Sequence, residues 1–425
     1  MKKLKLYLFS LLLLLSSGFN ANAFTATQQT VLFGSSCPTI GGTCPSINAN
    51  FTTDKYWVEG VGFVPLTSIV STSRASSALS QDTNGTWYSF SANTLRVTNK
   101  GALIEEARTN KCTNYNANPP ALVAMGTAAA FNAAVTNITA GAGTGTPLFG
   151  VVDDSAAIAA SGLANVSNGR TYVIDNTLGT SDSSLTFSGV AGNTNTHTIS
   201  AYGRVIGTAG ANNRIEVQDT TSIRASFTGT TTYTRVSASG VPTAISLLRV
   251  RAIAGATVYV TLNQLEEGAF VTSPIVVAGA SATRAADVPQ LIGPALTAAL
   301  AAKAAFFQTN GMANSTAPRP IDSSTGRIQF DSTTVVDAVI GANTAPATLG
   351  AGTSAGTVKF AMAFDAINFS MVANGGTKVT NANAFSFTGA VYLGTNLAAT
   401  RIINGYMQRF AFSPVKGVFD GATRP

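Results

Sequence analysis

The sequence predicts an all-β protein: two antiparallel jelly-roll-type β-sandwiches preceded by a strand-rich amino-terminal segment. Three observations lead there. Short runs of β-branched and aromatic residues recur at roughly ten-residue spacing, the cadence of sandwich strands joined by turns. Turn formers separate them, with 40 Gly and 15 Pro in 425 residues. Within the runs, apolar and polar side chains alternate with the two-residue period of a strand that buries one face. No heptad and no solenoid repeat competes with this pattern.

Taken in order, residues 58–66 carry Val and Phe at strand spacing, and residues 171–174 (TYVI) form a β-branched and aromatic run between Asn-Gly and Asp-Asn. In residues 196–205, Thr196, Thr198, Ser200, Tyr202 and Arg204 share one face, and His197, Ile199, Ala201 and Val205 occupy the other. Residues 214–217, 222–227, 233–236, 245–253 and 256–265 complete the first sandwich. Residues 294–305 are Ala-rich and intrinsically helical, and Phe306-Phe307 reads as a strand start. The second sandwich then takes residues 326–330, 357–364, 371–376 (a strand entering a tight turn), 384–387, 390–393 and 402–412. In the last of these, Ile402, Asn404, Tyr406, Gln408, Phe410 and Phe412 alternate with Ile403, Gly405, Met407, Arg409 and Ala411. The boundary between the sandwiches falls near 271–290, a Pro- and Ala-rich stretch.

The amino terminus has the form of an export signal. Lys2, Lys3 and Lys5 precede an apolar run over residues 6–15, and Ala21-Asn22-Ala23 is a small-x-small cleavage pattern. A cleaved signal puts the mature start near Phe24 and the protein outside the cell or on its surface; an uncleaved anchor helix is the other reading. The run is short for a membrane span. So is the stretch 295–307, which Lys303 interrupts, so no span is expected in the mature chain. Cys37 and Cys44 lie in a Gly/Pro-rich turn and read as a small disulfide loop in an oxidising compartment. Two free thiols are the alternative. Cys112 reads as a buried small hydrophobe. The expected division is therefore 1–23 signal, 24–110 amino-terminal β-rich segment, 111–275 first sandwich, 276–290 linker and 291–425 second sandwich.

Composition narrows the function. Charged residues make up 11% of the chain, against about 25% in an ordinary soluble domain. The net charge is +7, and without the three amino-terminal lysines it is 7 − 3 = +4. No basic stripe forms, so a nucleic-acid partner is not expected. With one His and three Cys, most His-based catalytic sites and Cys/His metal cages are excluded. His197 reads as a plain strand histidine and Asp153-Asp154 as a solvated turn. No nucleophile elbow, zinc-protease helix or phosphate loop occurs, so no enzymatic activity, catalytic residue or cofactor is expected.

Three blocks of sequence carry a resemblance. They are Ser73-Arg74-Ala75-Ser76 followed by Leu103-Ile104-Glu105-Glu106-Ala107-Arg108-Thr109-Asn110; then Gln264-Leu265-Glu266-Glu267-Gly268-Ala269-Phe270 with Thr272-Ser273-Pro274-Ile275; then Thr283-Arg284-Ala285-Ala286-Asp287-Val288. In this order and spacing the chain resembles a group of tailed-phage and prophage structural proteins, over roughly residues 56–420. The resemblance implies a carbohydrate-binding-module-like sandwich followed by a concanavalin A-like (laminin-G-like) sandwich. It implies a non-catalytic structural or adhesion protein that binds surface glycans, displayed on a virion if phage-encoded; the low charge and small polar outer residues suit side-by-side packing, so a homo-oligomer or assembly subunit is expected. A purely structural virion decoration or surface filament subunit is the alternative. It also allows a structural calcium, with Glu266 or Asp287 as ligands. The export signal departs from the group, as does Tyr233, which follows a Thr-Thr pair where related modules carry Trp.

A sugar site on a sandwich needs an aromatic platform and polar groups for hydroxyls. Tyr202, Arg204, Arg214, Glu216, Arg224 and Tyr233 lie on neighbouring expected strands and would line one concave sheet if their faces coincide. The alternative is that both tyrosines pack and the arginines solvate an outer face. Glu105, Glu106 and Arg108 read as local surface pairs in a linker, worth about 0–1 kcal/mol.

Overall fold

The computed structural model describes residues 37–112, 121–187, 193–217, 223–229, 231–242, 247–277, 281–313, 317–350, 353–417 and 419. The expected signal segment, 1–23, lies outside the described residues. The protein is almost entirely β, every named strand pair is antiparallel, and the strands form two sandwiches.

One sandwich is formed within residues 121–277. Its six-stranded sheet runs, edge to edge, Val123–Gly126, Leu148–Asp153, Arg170–Asp175, Ala256–Glu267, His197–Gly207 and Thr234–Gly240. Its five-stranded sheet runs Ile138–Gly141, Ser183–Phe187, Leu248–Ala252, Arg214–Val217 and Arg224–Ser226. Alternation decides what faces inward: Ile199, Ala201 and Val205 meet Leu185, Ile215, Val217 and Val250 in one buried core, which also takes Cys112. Burying each such aliphatic side chain stabilises the fold by roughly 1.5–3 kcal/mol.

The second sandwich is where the chain departs from the expected division. Its large sheet is centred on Gly405–Ser413, which pairs on one side with Ala304–Asn310 and on the other with Ile47–Asn50 and Gly101–Ile104. Its seven-stranded partner sheet ends on Val70–Ser73, paired with Val288–Leu291. Residues of the expected 24–110 segment are thus integral strands of the carboxy-terminal sandwich, not a module before it. The first sandwich is an insertion in that unit. Parts of the expected 276–290 linker are strand as well: Val288–Leu291 belongs to the seven-stranded sheet, and Ala282–Arg284 pairs with Arg108–Asn110, closing the two ends of the insertion side by side. Local periodicity could not show this, because it is silent on which distant strands pair.

Three smaller differences have local causes. The expected strand at 384–387 is irregular, yet Phe385 and Phe387 are buried in the cluster with Phe364, Phe369 and Phe412, so apolar spacing reported burial rather than pairing. The alternation over 402–412 changes phase, because a register shift opposite Gln308 and Thr309 leaves Gln408 as an extra residue. Met407 and Phe410 therefore both face the core. Such a bulge moves all later side chains to the other face. The Ala-rich helix is shorter than expected, Gly293–Leu300. At the end of Phe369–Ala373, Asn374 and Gly375 take φ of 42° and 70°, the left-handed pair that a tight hairpin requires.

Asp337 is a misfit on Val335–Ile340. It is only 6% exposed, and its Oδ1 has no partner among the described residues. Burial first, then the neighbouring Asp331, push its carboxyl up to about 6. The folded state therefore holds a proton that the unfolded chain releases at lower pH. The associated stability is full in acid and is lost as pH rises through about 6. Asp337→Asn should raise stability by about 1 kcal/mol at pH 8, after allowance for partial screening, and leave it unchanged near pH 3.5; urea titrations at the two pH values check this.

Candidate functional site

The outer face of the six-stranded sheet carries Tyr202, Arg204 and Tyr233, as the alternation expected. It is not an open platform. The hairpin Ala78–Gln81 with Trp87–Phe90 and the helix Ser155–Ala160 fold over it, and Leu79, Trp87, Ile158, Leu163, Tyr202 and Tyr233 form a small core of their own. Tyr202 and Tyr233 are each 4% exposed. The Trp87 indole Nε1–H donates to the Tyr202 hydroxyl at 2.6 Å. The Tyr233 hydroxyl donates to Asp154 Oδ2 at 2.6 Å, and burial, then this carboxylate, push the phenol's pKa up.

Asp154 is accordingly no solvated turn. It opens the helix Ser155–Ala160, but its carboxylate turns to Arg204, which donates from Nε at 2.9 Å and from Nη2 at 3.0 Å. The Arg204 guanidinium lies 3.9 Å from the ring centre of Tyr259. A fork-on-carboxylate pair stacked on an aromatic ring is rigid, so Arg204 is a structural clamp here.

Arg214, Glu216 and Arg224 are on the other sheet. Their neighbours Ile215, Val217 and Ala225 point into the core that the two sheets share, so these three face away from Tyr202. The single concave site assembled from the sequence is therefore split across opposite outer faces. The tyrosines are brought together; Arg214 and Glu216 are not brought to them.

Between the two sandwiches lies a cleft of about 430 Å³. The insertion contributes Tyr202, Tyr233, Thr234 and Arg235, the amino-terminal hairpin Trp87, and the carboxy-terminal sandwich Tyr406. Arg235 donates from Nη1 to the Thr272 carbonyl at 2.7 Å and from Nη2 to Ser200 Oγ at 3.1 Å, with its charge 5.8 Å from the Tyr202 ring centre. In two residues that line the cleft, the buried atoms Arg235 Nε and Thr234 Oγ1 have no hydrogen-bond partner among the described residues. Unsatisfied buried polar groups cost about 1–3 kcal/mol each. Sequence reasoning missed Trp87, Arg235 and Tyr406, because a cleft between sandwiches leaves no trace in the spacing within either. That Trp87 is one of only two tryptophans was the available signal.

The floor of the junction is ionic. Asp287 accepts from Arg74 Nη1 at 2.7 Å, from Arg96 and from the Glu105 backbone N–H at 2.9 Å. Glu105 takes Arg96 at 2.7 Å, Arg284 at 3.2 Å and the N–H and hydroxyl of Ser273 at 2.8 and 2.7 Å. Glu266 accepts from the Thr272 N–H and hydroxyl and from Gln264. Arg108 pairs with Glu106 and lies over Phe270. The motif blocks spread over more than 200 residues thus converge on one place. Four guanidiniums (Arg74, Arg96, Arg108, Arg284) face four carboxylates (Glu105, Glu106, Glu266, Asp287), which balances the charge. Glu105 is therefore no surface residue. Burial alone would raise its carboxyl, but Arg284 and Arg96 outweigh burial and hold it down to about 2. Nor are Glu266 and Asp287 calcium ligands: hydrogen-bond donors surround Glu266, and two arginines engage both oxygens of Asp287. A cation needs such oxygens free. Among the described residues no group of three or more His, Cys, Asp or Glu is placed to hold a metal ion.

His197 lies beside Lys111, 3.4 Å from its Nε2, and faces the Asn195 carbonyl through Nδ1 at 2.7 Å; burial foremost lowers its pKa. Cys37 and Cys44 form a disulfide with Cα atoms 5.8 Å apart. No helix among the described residues is long and apolar enough to cross a membrane.

No protein-family model matches the chain. No curated protein matches it either. Among solved structures, it is similar to the N-terminal CBM22-1–CBM22-2 tandem domain of Xyn10C from Paenibacillus barcinonensis, at 10% identity and a TM-score of 0.23, over 70% of this chain and 97% of that one.

Proposed function

We propose that this is an exported, non-catalytic adhesion protein of the phage-appendage type, which binds a surface glycan in the cleft between its sandwiches and works as one copy among many. The observation that carries the reading is the cleft. It is large enough for a short oligosaccharide, has Trp87, Tyr202, Tyr233 and Tyr406 in its walls, and places the polar side chains of Arg235 and Thr234 beside them. Aromatic rings beside a few placed polar groups suit the mixed faces of a sugar ring. The non-catalytic part is supported by the state of the nearby carboxylates. Glu105 is held ionised between two arginines and is not poised to exchange a proton, and both oxygens of Asp154 are taken up by Arg204 and Tyr233. A site of this kind binds modestly, and repeated copies on a particle or cell surface raise the avidity. Export is supported by the amino-terminal sequence and the disulfide.

The test is a neutral-glycan array followed by titration calorimetry on the best hit. Wild type should bind, and Arg235→Gln and Tyr406→Ala should each weaken binding about tenfold, the loss of one charged hydrogen bond or one stacking face. Tyr202 and Tyr233 are unsuitable probes, since truncating them opens the small core beneath. No glycan signal together with ordered particles in micrographs would instead establish the purely structural role.

A further inference from the structure

On the opposite side of the insertion, the outer face of the five-stranded sheet concentrates charge. Strand register puts Glu216 between Arg224 and Arg249, and Arg214 directly opposite Arg251. Glu216 accepts from Arg214 Nε at 2.6 Å and from Arg249 Nε at 2.6 Å; Arg224 is at 3.5 Å and Arg251 at 3.8 Å. Arg251 also binds Asp182 at 2.6 Å. Within this cluster four guanidiniums meet two carboxylates, 4 − 2 = +2. Of the two carboxylates Glu216 is buried, its side chain 2% exposed, and Asp182 at the margin is 28% exposed, whereas the side chains of Arg224, Arg249 and Arg251 are 48, 27 and 24% exposed.

Structure alone does not require this arrangement. Like charges directly opposite each other on adjacent strands destabilise a sheet, and one arginine would neutralise Glu216. Each guanidinium has five N–H donors in a planar fork. Glu216 and Asp182 take only a fraction of them and act as a brace that holds the arginines in place. What remains is an excess of positive charge and of donors on partly exposed arginine side chains, in a chain with few charges elsewhere.

We infer that this face is a second ligand site, which takes an acidic glycan through its sulfate or carboxylate groups. The patch spans three strands, roughly 10 Å across at the usual strand spacing, which suits one or two anionic groups of a sugar chain and not the long track of phosphates a nucleic acid presents. It is independent of the cleft and does not rest on the reading given for it.

The experiment is surface-plasmon resonance of the full chain on immobilised heparin, polygalacturonate, neutral dextran and a DNA duplex, in 50 and 300 mM salt. Heparin or polygalacturonate should bind, and binding should weaken at the higher salt; which of the two is tighter separates sulfate from carboxylate recognition. Arg224→Gln with Arg251→Gln should weaken it at least tenfold, Arg224→Lys should retain part of it, and Arg235→Gln should leave it unchanged. Arg224 is half-exposed, so its single Gln variant, with an unaltered melting temperature, serves if the double variant misfolds. Binding to neither polymer, equal binding by the variants, or DNA bound as tightly as the acidic glycans would each overturn the inference.

Discussion

Asp287→Ala is expected to destabilise the protein by about 3–5 kcal/mol, the range for removing one partner of a buried ion pair. The Asp287 side chain is fully buried and, among the described residues, is the one carboxylate that pairs with both the Arg74 and Arg96 guanidiniums, which are themselves fully buried. Without it, Arg74 keeps the Ser76 and Ser91 carbonyls and Arg96 keeps the Leu79 carbonyl and Glu105, but the charge is no longer balanced. Asp287→Asn preserves shape and should lose less. Denaturant unfolding measures both, and a loss below about 1 kcal/mol for the alanine variant would show that the junction is hydrated rather than dry. The network also sets an acid limit. Glu105 is held down to about 2 in the fold, against 4.5 ordinarily. Its contribution is full above the ordinary value and is lost as pH falls through about 2, so the sandwiches should separate or loosen in strong acid.

The second large effect concerns the carboxy-terminal sandwich. A fragment of residues 291–425 should fail to fold, although it contains every strand the sequence assigns to that sandwich. Its central strand Gly405–Ser413 would lose Ile47–Asn50 and Gly101–Ile104 from one side, exposing Met407, Phe410 and a row of unpaired backbone groups. Such an edge invites aggregation. Co-expression of residues 37–110 with a piece extended back to residues 282–425, which restores Val288–Leu291 and the Asp287 partner of Arg74 and Arg96, should give a soluble complex with cooperative melting. A fragment that melts cooperatively by itself would show that the amino-terminal strands decorate the sandwich and do not complete it. The same logic predicts that an insertion-free chain, with Asn110 joined to Ala282, keeps the carboxy-terminal core, because Arg108–Asn110 and Ala282–Arg284 already lie side by side.

The limits of the sequence reading follow from the range of the signals it uses. The strands Arg214–Val217 and Gly326–Phe330 stand where their alternation put them, because a two-residue period is a local property. Tyr202 and Arg204 were placed correctly on an outer face for the same reason. The assumption that Arg214 and Glu216 join them failed, because period two says which face of its own sheet a residue takes and nothing about which sheet the strand enters.

Strand character, the two buried interiors, the small disulfide loop and the ionic motif blocks were all legible in the chain by itself, since each depends on near neighbours or residue type. Only the tertiary structure decided that the amino-terminal strands complete the last sandwich, that Arg74, Arg96, Glu105, Arg284 and Asp287 form one buried ionic network, which reaches the insertion through Thr272 and Ser273, and that the tyrosines lie in a cleft while the arginines occupy the opposite face. Those facts rest on pairing and burial between segments up to several hundred residues apart. There the free energy gained by excluding water and balancing charge selects one arrangement among many that satisfy the same local pattern.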